Sequence, residues 1–183
     1  VLYGLKGISA YGHQARELGY YSDEVDNFYI EALEAITDDT LTVEELIRLT
    51  MRTGEMAIAV MQKLDEANTE VYGNPSPHTV DVHMKKGPFI VVSGHDLKDL
   101  EMLLEQTKGK GINIYTHGEM LPCHGYEGLK KYPHLVGNFG GAWQDQQKQF
   151  DNLPGCILMT TNCLMRPRES YKDRIYSTNV VGW

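Results

Sequence analysis

Side chains that bind metals cluster in residues 116–126, directly after a short apolar run with strand character. This stretch contains His117, Glu119, Cys123 and His124, whose nitrogen, oxygen and sulfur atoms are metal ligands in many proteins. Open α/β sheets build their sites from polar residues just beyond the carboxyl ends of strands. The stretch therefore predicts a metal or small-molecule site, to which the rest of the chain must bring further groups.

Three residues share one position relative to the predicted strands. His95, Glu119 and Cys163 each follow a different strand. The strands are expected at residues 88–93, 112–115 and 156–160, with another at 174–177. Because parallel strands end at one edge of a sheet, an imidazole, a carboxylate and a thiolate are expected to converge there. Such a mixed set suits iron better than a closed structural zinc site, although a polar rim or simple capping residues stay open as alternatives.

The elements before residue 78 are predicted to be helical. Apolar periodicity predicts a helix over residues 2–18, a second after Ser22, and a long third helix that begins with the pair Thr42 and Glu45. The predicted apolar face of the third helix comprises Leu46, Leu49, Ala57, Val60, Met61 and Leu64. The sequence Gly-Asn-Pro-Ser-Pro at residues 73–77 then breaks the helical pattern. We therefore expect a helical segment over residues 1–77.

Residues 78–183 alternate apolar strand-like runs with amphipathic segments. Helices are expected at residues 97–106, 127–131 and 142–150. Strand-helix alternation with short links predicts a Rossmann-like sheet of mostly parallel strands. The predicted fold class is therefore α/β, with an N-terminal helical segment followed by this Rossmann-like domain.

Composition excludes several classes of function. The net charge of −8 argues against nucleic acid as a partner, because a phosphate backbone would be repelled. No apolar run approaches the ~20 residues of a membrane span, and no signal peptide is recognisable. The three cysteines, Cys123, Cys156 and Cys163, are too few and too odd in number for a disulfide framework. A start at Val1 suggests that the chain is an internal piece of a longer protein.

Several motifs together resemble the hybrid cluster proteins, also called hydroxylamine reductases or prismane proteins. The motifs are Ser93-Gly-His95-Asp-Leu, Thr116-His-Gly-Glu119-Met-Leu-Pro-Cys-His-Gly-Tyr, Gly137-Asn-Phe-Gly-Gly-Ala-Trp-Gln, Thr161-Asn-Cys163-Leu and Lys6-Gly-Ile-Ser-Ala-Tyr-Gly-His13. The resemblance covers nearly the whole chain. It implies that His95, Glu119 and Cys163 are ligands of an iron–sulfur–oxygen hybrid cluster, for which this chain holds only part of the ligand set. Cys123 and Cys156 match no ligand position of that family and are interpreted as structural.

The resemblance also implies the chemistry of the longer parent. It implies a small N–O substrate, with hydroxylamine reduced to ammonia or nitric oxide to nitrous oxide, and a redox partner as electron donor. Electrons would pass through a 4Fe–4S cluster, whose cysteine motif is absent here and is expected in a preceding region of the parent. We expect a cytoplasmic protein, and we expect the isolated piece to be poor in iron and inactive.

Three alternative functions remain open from the sequence. A carbon monoxide dehydrogenase-like enzyme shares the fold, but that family has a cysteine where Glu119 stands. A zinc-dependent hydrolase could use His95, His117 and Glu119. A binding fold could hold an anion at the glycine-rich residues 137–141. No catalytic residue is assigned, although His117 is near enough in sequence to orient Glu119 or to donate a proton.

Overall fold

The structure, a computed structural model, describes residues 1–161, 163–179 and 181. Asn162 of the Thr161-Asn-Cys163 motif lies outside the described residues, as do the last two residues of the predicted second domain. Within the described part of the chain, no helix combines the length and the apolar character that crossing a membrane would need.

The first of two compact units, Val1–Val71, is helical. Its helices are α1 (Leu2–Glu17), α2 (Asp23–Ala35) and α3 (Val43–Tyr72). The predicted helix starts are confirmed. The Ser22 side chain accepts a hydrogen bond from the N–H of Val25. Thr42 and Glu45 cap α3 reciprocally, with the N–H of Thr42 2.8 Å from Glu45 Oε2 and the N–H of Glu45 3.3 Å from Thr42 Oγ1.

The buried face of α3 differs in part from the predicted one. Val60 is buried, but Leu46 and Met61 are 42% and 44% exposed, and Thr53 and Met56 are buried instead. Apolar residues occur on more than one side of α3, so periodicity alone does not tell which side faces the core. The core of this unit contains Leu5, Ile8, Val25, Phe28, Ala32, Met56 and Val60.

The second unit begins at Tyr72 and contains a parallel sheet. Its strands within the described residues are β1 (Phe89–Ser93), β2 (Asn113–His117), β3 (Leu135–Asn138), β4 (Cys156–Met159) and β5 (Ile175–Ser177). Their spatial order is β3-β2-β1-β4-β5, and every pair is parallel. Ser93 is level with His117 on one side and with Met159 on the other. The predicted α/β class with a Rossmann-like sheet is confirmed.

The predicted domain boundary before His78 stays a prediction, because compactness alone does not define a domain.

Short helices connect the strands. They are α4 (Leu97–Thr107), α5 (Glu127–Lys130), α6 (Gln146–Gln149) and 3₁₀ helices at Gly118–Gly125, Trp143–Asp145 and Lys172–Arg174. Asp96 caps α4 by accepting hydrogen bonds from the N–H groups of Lys98 and Asp99, at 2.9 and 3.0 Å. The helix predicted over residues 142–150 is only a 3₁₀ turn followed by one α-helical turn, since propensity over so short a segment is a weak signal.

Strand β3 was not predicted. It is only four residues long and contains Gly137, which weakens any strand pattern in the sequence. A Cβ atom at Gly137 would lie 2.1 Å from the backbone oxygen of Asp81. Next to it, the N–H of Asn138 donates a hydrogen bond of 2.8 Å to that same oxygen. Glycine is therefore required because another backbone segment packs directly on the strand.

A buried polar cluster ties β2 to the 3₁₀ helix that follows it. Thr116 Oγ1 lies 2.9 Å from His124 Nε2 and donates a hydrogen bond of 2.9 Å to Asn138 Oδ1. His124 is 4% exposed. Burial, with a smaller contribution from His78, lowers the pKa of His124 to about 4. His124 therefore stabilises the fold as a neutral hydrogen-bonding group.

The Gly137→Ala substitution should destabilise the second unit by about 1–3 kcal/mol, because the new methyl group overlaps the Asp81 carbonyl oxygen. Urea unfolding followed by circular dichroism measures the change. Gly141→Ala is the matched control, since its Cβ would lie 3.6 Å from Gln149 Nε2, an ordinary van der Waals distance, and the cost should stay within about 0.5 kcal/mol. Equal stability of the two variants would contradict the packing described for β3.

The free energy of unfolding should fall by about 2 kcal/mol between pH 7 and pH 5 through His124 alone. The folded-state pKa of His124 is about 4 and thus lies below its unfolded value near 6.5. The unfolded state therefore takes up the proton first, and stability is lost as pH falls through this window. In His124→Gln the same pH change should cost correspondingly less. Urea titrations at both pH values test this, and parallel pH profiles for the two proteins would refute it.

Candidate metal centre

His95, Glu119 and Cys163 meet at the carboxyl edge of the sheet. His95 follows β1, Glu119 follows β2, and Cys163 follows β4. One ligand atom from each residue lies within 4.8 Å of the ligand atoms of the other two. In the described part of the chain, this is the one group of at least three His, Cys, Asp or Glu side chains with the geometry to hold a metal ion. The convergence expected from the strand ends is therefore present.

Glu119 is the central member of this group. Its Oε2 atom is hydrogen-bonded to His95 Nε2 and lies 3.7 Å from Cys163 Sγ. The Glu119 side chain is 60% exposed and that of His95 is 30% exposed. The three donors thus lie on an accessible edge, where further ligands can approach them.

Thr161 holds the His95 ring from the side opposite Glu119. Its Oγ1 accepts a hydrogen bond of 2.7 Å from the N–H of His95 and lies 2.8 Å from His95 Nδ1. The close approach of Thr161 requires glycine at position 94, which has φ +117° and where a Cβ would lie 2.7 Å from Thr161 Oγ1. Metal-binding histidines usually engage their second ring nitrogen in this way, which fixes the orientation of the ring.

The Cys163 thiol is kept neutral by its surroundings. Burial, followed by the charge of Glu119 and a hydrogen bond to it, raises the pKa of Cys163 to about 11. A thiol of this kind reacts poorly as a free nucleophile, since the thiolate is the reactive form. A nearby cation would reverse the electrostatic balance, because metal coordination favours the thiolate. The arrangement suits a metal ligand better than a catalytic nucleophile.

His117 is not a member of the group, contrary to the suggestion that it orients Glu119 or donates a proton. It is the last residue of β2 and is fully buried. Its Nδ1 atom lies 3.0 Å from Ser93 Oγ and its Nε2 atom 2.8 Å from Gln149 Oε1. Burial lowers the pKa of His117. Because β2 extends two residues further than predicted, this ring packs inside the fold, and a zinc hydrolase site made of His95, His117 and Glu119 loses one of its ligands.

The other two cysteines lie outside the group. Cys123 is fully buried, and burial raises the pKa of its thiol. Cys156 begins β4 and is exposed. Neither belongs to the set of side chains that could hold a metal. Their interpretation as structural residues stays a prediction.

The glycine-rich residues 137–141 use their polar backbone groups internally. The N–H of Gly141 donates to Gln149 Oε1 at 3.3 Å, and the carbonyl of Gly140 accepts from Asn138 Nδ2 at 3.1 Å. A loop that binds an anion needs backbone N–H groups that point into a free concavity. These contacts therefore argue against the anion-binding alternative.

Sequence reasoning missed the polar residues that hold the ligands. Thr161 belongs to the Thr161-Asn-Cys163 motif, but its contacts with His95 join residues 66 positions apart and leave no local signal in the sequence. Gln146, which is hydrogen-bonded to the carbonyl oxygen of Cys163 and to the N–H of Met165, has no motif of its own. Its sequence signal is weak, since a glutamine in a polar run, Gln144 to Gln149, is expected on the surface.

Comparison with known proteins extends over the whole chain. Residues 1–183 match the Prismane/CO dehydrogenase family. Among the curated relatives, the hydroxylamine reductase of Kosmotoga olearia is 57% identical over 99% of this chain and 33% of its own length. The hydroxylamine reductases of Syntrophobacter fumaroxidans and Caldanaerobacter subterraneus are 55% and 52% identical over all of this chain and 34% and 33% of their own lengths.

The chain thus spans about a third of the length of the curated relatives it matches, as expected of a piece of a longer protein. The resemblance carried by the sequence motifs is confirmed. With its full-length match and with relatives above 50% identity, the chain belongs to the Prismane/CO dehydrogenase family.

Proposed function

We propose that this chain supplies His95, Glu119 and Cys163 as ligands to an iron–sulfur–oxygen hybrid cluster in a longer reductase that acts on small N–O compounds. The observation that carries the proposal is the meeting of three different donor atoms within 4.8 Å at the carboxyl edge of the sheet. The family membership and the names of the relatives support the same assignment.

The donor set fits a mixed iron cluster. Cys163 offers soft sulfur, Glu119 offers hard oxygen and His95 offers an imidazole nitrogen, so each favours a different kind of metal environment. Iron–sulfur clusters with unlike ligands on different irons have this chemistry. A closed structural zinc site would instead need a fourth protein ligand, and the described residues bring only three together.

Three residues cannot complete a multi-iron cluster, so further ligands must come from other parts of the longer polypeptide. The chain covers about a third of its curated relatives, which leaves ample sequence for those ligands and for the proposed 4Fe–4S cluster. A redox partner would deliver electrons through that second cluster. We place the longer protein in the cytoplasm.

When bound by His95, Glu119 and Cys163 together with further ligands, the hybrid cluster would supply electrons to the substrate. The substrate would be hydroxylamine, whose N–O bond breaks with uptake of electrons and protons to release ammonia and water, or nitric oxide, which would be reduced to nitrous oxide and water. His95, Glu119 and Cys163 would supply part of the ligand field in which this occurs. None of them is assigned a proton-transfer step, since His117 points into the fold.

Each ligand has a distinct role in this proposal. His95 would bind through Nε2 while Thr161 accepts the hydrogen bond of Nδ1 and fixes the ring. Cys163 would anchor the sulfur-rich part of the cluster. Glu119, the most exposed of the three, is the ligand that can shift most easily. Its carboxylate would let the cluster rearrange without losing its other protein bonds.

The alternatives predict different metals at the same edge. A carbon monoxide dehydrogenase-like enzyme would carry nickel, and the family name includes that class. The glutamate at position 119 and the relatives named hydroxylamine reductase favour the hybrid cluster. A zinc hydrolase would carry zinc with a bound water, and metal analysis of the longer protein distinguishes all three.

Glu119→Gln in the longer protein should lower hydroxylamine reductase activity by about 100-fold or more, because it removes a direct ligand rather than an outer contact. The electron paramagnetic resonance spectrum of the hybrid cluster should change as well. Glu127→Gln is the matched control, since that carboxylate is 70% exposed and pairs only with Lys130 among the ion pairs of the described residues. Unchanged activity and an unchanged spectrum in Glu119→Gln would exclude the proposed role.

The isolated 183-residue chain should contain little iron and show no reductase activity. Cluster binding and folding are coupled, and three ligands from separate loops should bind a cluster of several irons only weakly. Iron and acid-labile sulfide analysis of the purified chain measures this. A brown protein with stoichiometric iron and sulfide would show that the chain alone suffices.

A further inference from the structure

Gln146 is a fully buried polar residue that stands next to the candidate metal centre. It is the first residue of α6 and has no exposed surface. A buried amide must find hydrogen-bond partners, because leaving its donors and acceptor unsatisfied costs stability. The identity of those partners shows what the side chain is for.

The Gln146 side chain makes three hydrogen bonds to backbone groups, two of them at Cys163 and Met165. Its Nε2 atom donates hydrogen bonds to the carbonyl oxygen of Cys163 and, at 2.8 Å, to that of Trp143. Its Oε1 atom accepts a hydrogen bond of 3.0 Å from the N–H of Met165. Both ends of one amide therefore fix the backbone just after the thiol-bearing residue.

The backbone at Cys163 needs such support. Its φ is +72°, in the left-handed region that favours glycine and that other residues enter only when the surrounding structure holds them there. In this conformation Cys163 Sγ lies 3.7 Å from Glu119 Oε2. If the backbone relaxed to a negative φ, the Cα–Cβ bond would turn and the sulfur would leave the three-donor group.

We propose that Gln146 is a positioning residue, which holds Cys163 in its left-handed conformation and thereby aims the thiol at His95 and Glu119. The inference rests on the proposed function, since it assigns a purpose to the position of that thiol. It goes beyond that function because Gln146 touches no ligand atom itself.

The chemistry of the contacts explains why an amide is needed. Two carbonyl oxygens face Nε2, and one N–H faces Oε1. In Gln146→Glu a carboxylate oxygen would face both carbonyls and repel them, although the acceptor for Met165 would remain. In Gln146→Met a side chain of similar length would fill the space and make none of the three hydrogen bonds.

The test measures the reactivity of each thiol separately in the 183-residue chain. Cys156→Ser serves as the background, so that the remaining thiols are Cys163, which is half-buried, and Cys123, which is fully buried. Labelling with a maleimide, followed by mass spectrometry, gives the two rates. Cys123 reports opening of the fold as a whole, whereas Cys163 reports the local backbone.

In both Gln146→Met and Gln146→Glu the labelling rate of Cys163 should rise about tenfold, the effect expected from the loss of buried hydrogen bonds. The rate of Cys123 should remain that of the background protein. Gln147→Met is the matched control, because the neighbouring Gln147 donates to the carbonyl of Arg166 and not to Cys163. It should leave the Cys163 rate unchanged.

Two results would overturn the proposal. One is a Cys163 rate that stays at the background value in both Gln146 variants. The other is an equal rise for Cys123 and Cys163, since that would show a general contribution of Gln146 to stability and no local one. Gln146→Glu keeps one hydrogen bond and provides a second variant should Gln146→Met fold poorly.

A second measurement separates this inference from the proposed function. Cobalt(II) added to the background protein should give a thiolate-to-cobalt absorption band that depends on Cys163, with affinity about tenfold weaker in Gln146→Met. Absence of that band in the background protein would count against the three-residue metal centre and would not bear on the role of Gln146. The labelling rates still decide the role of Gln146, because they require no metal.

Discussion

The register of the parallel sheet is the constraint on which the candidate centre depends. Ser93, His117 and Met159 lie level at the carboxyl ends of three adjacent strands. His95 and Glu119 come two residues after their strands, so the ladder itself brings these side chains to one edge. A shift of one residue between two parallel strands would turn the following loops toward opposite faces and separate the donors. Backbone hydrogen bonds, and no local motif, therefore determine which side chains meet.

Buried polar side chains also hold the carboxyl edge of the sheet in place. Ser93, His117 and Gln149 form a chain of contacts beneath the edge, and Thr161 holds the ring of His95. Groups of this kind stabilise a unique arrangement only when each finds a partner, because an unsatisfied buried group is costly. Tyr171 is an exception within the described residues, since its buried hydroxyl has no hydrogen-bond partner. Polar contacts thus contribute to holding the loops of the candidate centre in place.

The sequence was sufficient to predict the convergence of His95, Glu119 and Cys163, because strand ends and ligand-type residues are both local signals. It was insufficient for β3, whose four residues include Gly137 and whose role depends on a distant backbone segment. It also misplaced His117, since a strand that continues two residues further turns a rim residue into a buried one. The role of Gln146 could not be predicted because its hydrogen bonds reach backbone groups that are distant in the sequence. The failures share a cause, which is that tertiary contacts override local patterns.

The backbone of Asp81 has a further consequence for the sheet. Its carbonyl oxygen accepts the N–H of Asn138 on β3, the outermost strand on that side, and its atoms cover Gly137 closely. An open strand edge with free N–H and C=O groups is a template on which another polypeptide can add a strand, which leads to aggregation. The segment that precedes the sheet therefore acts as a cover for this edge. The backbone at Asp81 thereby leaves fewer free groups on β3 to which another polypeptide could add a strand.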